Sequence, residues 1–332
     1  MMNEAEQLTK QIQEQMAEHQ RLQLALGSTT DESRATVRRF LPQLKTQLYY
    51  LLDLEHVVQE LKMLDKTQKS ERNALWEDAK LLAFTRYLTT LVAFGLWHLL
   101  VFAQVSIIGK RVFDKNKKRL LRLSNREQEE TEQQAHHTFL SSGLEYFLDK
   151  GLSQLKTHVE AVVSKNKQVQ TWKLQRRSTK NQTELNMWRE FLIYPDKQKD
   201  QDEHVICLLN DLWDLLESDL FMPALQHSLG FLCGNAFQDL DDVVYGPSTQ
   251  EHRVVEDNAT ELPEKKPAPP LAKLIPCLQA EMNKLLLPSG GPNSYAAKYS
   301  QGIGEIEAFR NFYKAIFFEQ STQDSYMGPN FI

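Results

Sequence analysis

The stretch LTTLVAFGLWHLLVFAQVSIIG, Leu88 to Gly109, decides how the rest of the chain can fold. Together with Tyr87 it forms a run of 23 residues without Asp, Glu, Lys or Arg. A helix rises about 1.5 Å per residue, so a helix of this length could cross a bilayer. The same run could form the buried middle helix of a large helical protein, because a helix that is apolar all round needs cover on every side.

The basic residues after this run favour a membrane span, whereas the polar residues within it disfavour one. A cluster of basic residues follows it and resembles the positive flank of a membrane span: Lys110, Arg111, Lys115, Lys117, Lys118 and Arg119. The polar residues within the run project in scattered directions and would need partners in a bilayer: Thr89, Thr90, His98, Gln104 and Ser106. The residues of the run alone leave both interpretations open.

Composition favours an all-α protein. The 332 residues allow one large domain or two ordinary ones, with 41% hydrophobic and 25% charged residues and only 13 glycines. The net charge of −5 gives no basic field for nucleic acid. Three cysteines without a CxxC pair predict no disulfide framework, which fits a reducing cytosolic environment.

Apolar residues recur with a helical period along most of the chain. The pattern predicts a polar N-terminal helix over residues 1–27, with a thin apolar line of Leu8, Ile12, Met16 and Leu22. Thr29 to Glu32 is a predicted start of the next helix. A long helix is predicted from about Asn73 through the opening stretch. Residues 204–246 predict two helices, with Pro223 inside or opening the second, and 247–270 predict a disordered loop.

No catalytic constellation stands out in the sequence. His136 and His137 are neighbours, so on a helix they diverge by about 100° and cannot share a metal. The DLDD run at 239–242 lacks the glycine and the alternating spacing of a calcium loop, which makes a helix end the better interpretation. We therefore predict no enzyme activity, no cofactor, no metal and no small-molecule substrate.

Trp76 belongs to the segment LWEDAKLLAF, residues 75–84. Glu77 and Asp78 beside it favour the positive end of a helix dipole, so the tryptophan stands near a helix start. A tryptophan at such a position is most often a partly buried core residue. It could also be an exposed aromatic anchor in a binding groove. Spacing does not separate these two roles.

Five blocks in this chain, in this order, resemble the peroxisomal biogenesis factor 3 (peroxin-3) family. They fall between residues 75 and 276 and read LWEDAKLLAFTR, QVSIIG, FLSSGLEYFLDKGLSQL, LLNDLWDLLESDLF and LAKLIP. The weaker block RFLPQLKTQL extends the similarity toward the N-terminus. The resemblance implies a single large, elongated helical bundle over residues 1–332, with the opening stretch as its long buried central helix. The basic run after that helix is then expected to be a solvated loop.

The resemblance also implies a function. Members of the family are docking factors on the cytosolic face of the peroxisomal membrane, and they bind an amphipathic helix near the N-terminus of peroxin-19. That receptor delivers newly made peroxisomal membrane proteins for insertion. A contact with membrane lipids is left open. Two alternatives stand beside this expectation: an integral membrane protein that spans at 87–109, and a helical scaffold for a different amphipathic helix.

The family's groove motif matches LWEDAK, so the resemblance implies that Trp76 is the leading anchor for the partner helix and that Lys80 is a basic residue of the same groove. Ala79 stands where relatives often carry a larger apolar residue, which predicts a shallower groove. Leu64 and Arg72 are further candidates upstream. The family begins with a short basic segment and a membrane anchor. This chain begins with a polar helix and shows no evident anchor, so we expect it to be soluble.

Overall fold

The computed structural model describes residues 2–65, 67–119, 126–166, 185–193, 202–246, 271–287 and 294–318. These parts of the chain are mainly helical, and no strand occurs among them. The predicted all-α fold class is therefore confirmed. The loop predicted at 247–270 lies outside the described residues.

Eleven α-helices and one π-helical turn are described. They are α1 (Met2–Leu51), α2 (Leu54–Met63), α3 (Lys69–Arg119), α4 (Arg126–Tyr146), the π turn (Phe147–Gly151), α5 (Leu152–Lys165), α6 (Leu185–Glu190), α7 (Glu203–Glu217), α8 (Phe221–Tyr245), α9 (Leu271–Leu285), α10 (Tyr295–Glu305) and α11 (Glu307–Phe318). The prediction of two helices over 204–246 is confirmed, and Pro223 lies in the first turn of the second, α8.

Helix α3 is the centre of the bundle. Helices α1, α2, α4, α5, α7, α8, α9 and α11 all pack against it. Its apolar part is long enough to cross a membrane, but 89% of an 18-residue apolar segment of this helix is buried inside the fold. The predicted long, buried central helix is thus confirmed. The other helices bury their apolar faces on α3, which removes that surface from water and is the dominant favourable term in folding.

Two of the scattered polar side chains on α3, those of His98 and Gln104, find partners on neighbouring helices. The ring of His98 lies with Nδ1 2.7 Å from the carbonyl oxygen of Phe94 and with Nε2 2.8 Å from Oγ of Ser300 on α10. The amide Nε2 of Gln104 donates to the carbonyl oxygen of Phe139 on α4, at 2.9 Å. A buried polar group costs little when it is hydrogen-bonded, so an all-round bundle accommodates a scattered pattern.

Helices α1 and α3 run antiparallel, as three contacts show. Tyr49 stacks on Arg86, a Cβ added at Gly109 would overlap the side chain of Thr29, and Lys117 pairs with Glu18. Residue numbers rise along α1 as they fall along α3. The absent side chain of Gly109 lets the two helices approach closely at that level.

The predicted break between an N-terminal helix and a second helix at Thr29 is wrong, because α1 continues through it. Oγ1 of Thr30 donates to the carbonyl oxygen of Leu26 at 2.8 Å, and Oγ of Ser33 donates to that of Thr29 at 2.8 Å. These hydroxyls bond to the preceding turn of the helix instead of capping a new one. The sequence pattern of a helix start and that of mid-helix hydroxyls are alike at this point.

The basic run after the opening stretch is not a loop, because α3 continues to Arg119. Four of its cations pair with carboxylates, each on a different helix. The pairs are Lys110 with Asp114 of α3, Arg111 with Asp211 of α7, Lys115 with Glu132 of α4 and Lys117 with Glu18 of α1. Three of these pairs join the end of α3 to α1, α4 and α7, although partly exposed pairs of this kind each stabilise a fold only slightly.

Candidate docking surface at the α2–α3 hairpin

Helices α2 and α3 form a hairpin that carries all five predicted site residues. Asp53 caps α2, because its side chain accepts a hydrogen bond from the backbone N–H of His56 at 3.0 Å. Leu54 and Leu61 bury one face of α2, and the helix ends at Met63, with Leu64 as its C-cap. A short turn then leads into α3 at Lys69. The predicted residues therefore lie on the end of α2 and the first turns of α3.

An ion pair and a stacked ring hold this hairpin against the bundle. Nη1 of Arg86 pairs with Glu55 of α2, and the guanidinium of Arg86 lies over the ring of Tyr49 at the end of α1. Nε2 of Gln279 on α9 donates to the other oxygen of Glu55 at 3.4 Å. Burial raises the pKa of Tyr49, while the nearby Arg86 opposes that shift. Three helices thus fix where α2 lies on α3.

Leu64, Arg72 and Trp76 lie at the edge of the hairpin, where each is partly buried and partly exposed. Trp76 packs against the hydrophobic core with part of its side chain. Both roles considered for this tryptophan are therefore compatible with its position. Its packed part fixes the indole, and its remaining surface is accessible to a partner.

Ala79 and Lys80 lie on the inner side of α3. Ala79 is 0% exposed and Lys80 is 3% exposed. Nζ of Lys80 forms an ion pair with Glu77, whose own side chain is 62% exposed. The hairpin brings the five predicted residues into one region, but only Leu64, Arg72 and Trp76 present surface to solvent.

Met63 is a candidate that the sequence reasoning missed. It is 75% exposed and precedes Leu64 in the chain. Leu54 and Leu61 lie on one face of α2, and at 100° per residue Met63 lies on the opposite face. The position of Met63 away from the apolar face of α2 could have been predicted from the sequence. A flexible thioether side chain suits a surface that receives an apolar partner.

Two further observations on the described residues concern metal ions and small molecules. Among the described residues no group of three His, Cys, Asp or Glu side chains is placed to hold a metal ion. A cavity between α3, α8, α9 and α10 has a volume of about 10 Å³, roughly the space of one water molecule, and is lined by residues that include Tyr87, Glu281 and Tyr299. Pockets for small molecules usually measure roughly 300–1,000 Å³. The hydroxyl of Tyr87 donates to the carbonyl oxygen of Ala236 at 2.9 Å, and burial raises its pKa, so it serves as a structural donor.

Comparison with models of known protein families gives no match for this chain, and comparison with curated proteins gives no significant match.

Proposed function

We propose that this chain is a docking receptor for an amphipathic helix, and that it acts as a member of the peroxin-3 family on the cytosolic face of the peroxisomal membrane. In this proposal the occupant is the N-terminal helix of peroxin-19, and docking delivers peroxisomal membrane proteins for insertion. The observation that carries the docking role is Trp76, a tryptophan held by the core at the accessible edge of the α2–α3 hairpin. The family assignment rests on the five sequence blocks.

The physical basis of docking is helix-in-groove recognition. Apolar anchors supply most of the binding energy in such complexes, and charged residues at the rim orient the helix. Trp76, Leu64 and Met63 supply accessible apolar surface at the hairpin, and Arg72 supplies a cation beside them. We expect Lys80 to contribute indirectly, because its side chain is 3% exposed and its ammonium group pairs with Glu77.

The test is calorimetric titration of the purified chain with a peptide of the N-terminal helix of peroxin-19. We expect saturable one-to-one binding that Trp76→Ala weakens by at least about 2 kcal/mol, which is roughly thirtyfold. Trp213→Ala is the matched control, because Trp213 is also half-buried against the core but lies on α7. Equal affinity of the folded Trp76→Ala variant and the wild type would reject the site.

Two alternatives give different outcomes in the same preparation. A helical scaffold for another partner would stay in solution and ignore this peptide. An integral membrane protein spanning at 87–109 would require detergent and would resist alkaline extraction from membranes. That second candidate is favoured by the length and apolarity of α3, and it requires the surrounding helices to leave α3.

A further inference from the structure

The carboxylate of Glu281 on α9 lies inside the bundle and is satisfied on one side only. Its side chain is 3% exposed, and Oε1 accepts a hydrogen bond from Nζ of Lys284 at 2.6 Å. The second oxygen, Oε2, is buried and has no hydrogen-bond partner among the described residues. A buried carboxylate oxygen without a partner costs free energy, so folded proteins almost always supply one from a side chain, the backbone or an ordered water.

The cavity between α3, α8, α9 and α10 adjoins this carboxylate. Its polar lining consists of Tyr87, Thr90, Glu281 and Tyr299. The rest of its lining is apolar and consists of Leu91, Ala236, Met282 and Leu285. The volume of about 10 Å³ is close to the space that a single water molecule needs. The size therefore limits an occupant to one water molecule or one small ion.

The hydroxyl groups of the lining have already committed their protons. The hydroxyl of Tyr87 donates to the carbonyl oxygen of Ala236 at 2.9 Å, and burial raises the pKa of Tyr87, so this proton stays in place. Oγ1 of Thr90 donates to the carbonyl oxygen one helical turn before it, at 2.8 Å. The hydroxyl of Tyr299 donates to Oδ2 of Asp239 at 2.6 Å. A hydroxyl group has a single proton, so the lining offers oxygen acceptors to an occupant and no side-chain donor.

A lining of this kind selects a hydrogen-bond donor or a cation, and charge distinguishes the two. The carboxylate of Glu281 already has a cation beside it, the ammonium group of Lys284. A second cation would lose its hydration shell to reach a carboxylate that is already paired. A water molecule adds no charge and brings two O–H donors to a site that lacks them. Water is therefore the better occupant.

We propose that this cavity is a binding site for one structural water molecule. The water donates one hydrogen bond to Oε2 of Glu281 and the other to the hydroxyl oxygen of Tyr87 or Thr90, so that it joins α9 to the central helix α3. Helix α9 also supports α2, because Gln279 donates to Glu55. The bound water thus belongs to the contacts that hold α9 in place beside α2 and α3. The site is independent of the proposed docking role.

A crystal structure of the full chain tests the site directly. We expect an isolated density peak in the cavity at about 2.7–2.8 Å from Oε2 of Glu281, the usual distance of an O–H···O hydrogen bond. In Glu281→Met the peak should disappear, because the carboxylate that accepts from the water is gone. Lys284→Met is the matched control, since it removes the same ion pair but leaves Oε2 in place, and there the peak should remain.

A measurement in solution applies where a variant does not crystallise. Magnetic relaxation dispersion of water ¹⁷O counts the long-lived internal waters of a protein. We expect one fewer in Glu281→Met than in the wild type, and the same number in Lys284→Met. The midpoint of urea unfolding of the wild type should be equal in NaCl, KCl and choline chloride at the same ionic strength.

The wild-type density decides the question even where Glu281→Met does not fold. A cavity without a density peak in the wild type would overturn the proposal, and so would an unchanged number of internal waters in folded Glu281→Met. A higher unfolding midpoint in NaCl or KCl than in choline chloride, lost in Glu281→Met, would overturn it in favour of a bound cation.

Discussion

The guanidinium carbon of Arg86 lies 3.7 Å from the centre of the ring of Tyr49, and the same guanidinium pairs with Glu55. These two contacts join α1, α2 and α3 at a single residue. The side chain of Arg86 is 1% exposed, whereas that of Glu55 is 49% exposed. Removing one charge of the pair should therefore cost a different amount of stability from removing the other, because only Glu55 can be hydrated when its partner is gone.

We predict that Glu55→Ala destabilises the fold more than Arg86→Met does. Removal of the carboxylate leaves a buried cation without its partner, which should cost about 2–4 kcal/mol. Removal of the cation by Met fills the space with an apolar chain and leaves Glu55 hydrated, which should cost about 1–2 kcal/mol. Urea unfolding of both variants and of the double variant measures the difference. The reverse order would show that the stack on Tyr49 outweighs the ion pair.

Gly151→Ala should destabilise the fold by about 1–3 kcal/mol, because an added methyl group would overlap a backbone atom. Gly151 ends the π turn, and a Cβ there would meet the carbonyl oxygen of Phe191. That carbonyl cannot move freely, since the hydroxyl of Tyr146 donates to the adjacent carbonyl oxygen of Glu190 at 2.8 Å.

The control for this prediction is Gly230→Ala on α8. A Cβ at Gly230 would meet nothing within 4 Å. Alanine is favoured over glycine in a helix, so this variant should gain up to about 1 kcal/mol. Thermal unfolding compares the two. Similar effects of both substitutions would mean that the backbone near Phe191 gives way easily.

His98 should make the fold less stable in mild acid. Burial lowers the pKa of His98 from 6.5 to about 4, so the folded chain keeps this ring neutral where the unfolded chain binds a proton. The unfolded state therefore gains protons as the pH falls below 6.5, and stability contributed by the neutral ring is progressively lost down to about pH 4. Between pH 7.5 and 5.5 the expected loss is about 1.4 kcal/mol.

This prediction is checked by the pH dependence of urea unfolding in the wild type and in His98→Gln. The free energy of unfolding will differ between the two proteins at every pH, so the informative quantity is its slope against pH. Burial also lowers the pKa of His136, so the His98→Gln variant should keep part of this pH dependence. Identical slopes in the wild type and His98→Gln would contradict the prediction.

Lys80→Met should weaken docking at the hairpin by less than about 0.5 kcal/mol, roughly twofold. The side chain of Lys80 is 3% exposed and its ammonium group pairs with Glu77, so little of it is available to a partner helix. Calorimetry with the same peroxin-19 peptide measures the effect beside Trp76→Ala. A tenfold loss in Lys80→Met would show that this side chain turns outward when the partner helix docks.

A long helix through Leu88 to Gly109 was predictable from local content, but the residues left open whether lipid or other helices cover it, and only the family resemblance predicted its burial. A run without charges must be covered on all sides, and amphipathic helices before and after Leu88 to Gly109 supply that cover. The inner position of Lys80 was not predictable. Helical spacing puts Trp76 and Lys80 on neighbouring parts of α3, but it does not tell which of them the surrounding helices bury.

The end of α3 shows a second limit of sequence reasoning. A dense basic run normally stays solvated, yet Arg111 pairs with Asp211 and Lys117 pairs with Glu18. About a hundred residues separate the partners in each pair, so no local pattern contains them. The docking role of Trp76 and the peroxin-3 assignment stay predictions, because they depend on a partner.

The order of synthesis leaves the central helix only partly covered for a time, because several helices that pack on it are made after it. Helix α3 is complete at Arg119, but Phe102 packs on Phe309 and Tyr313, with ring centres 4.9 and 5.1 Å apart. These residues are translated about 200 residues later, which takes roughly 10–40 s at 5–20 residues per second. During that time a segment apolar enough to span a bilayer is available to the cell's membrane-insertion machinery. Ribosomal pausing before α11 should therefore divert nascent chains into membranes, and faster elongation should favour the folded bundle.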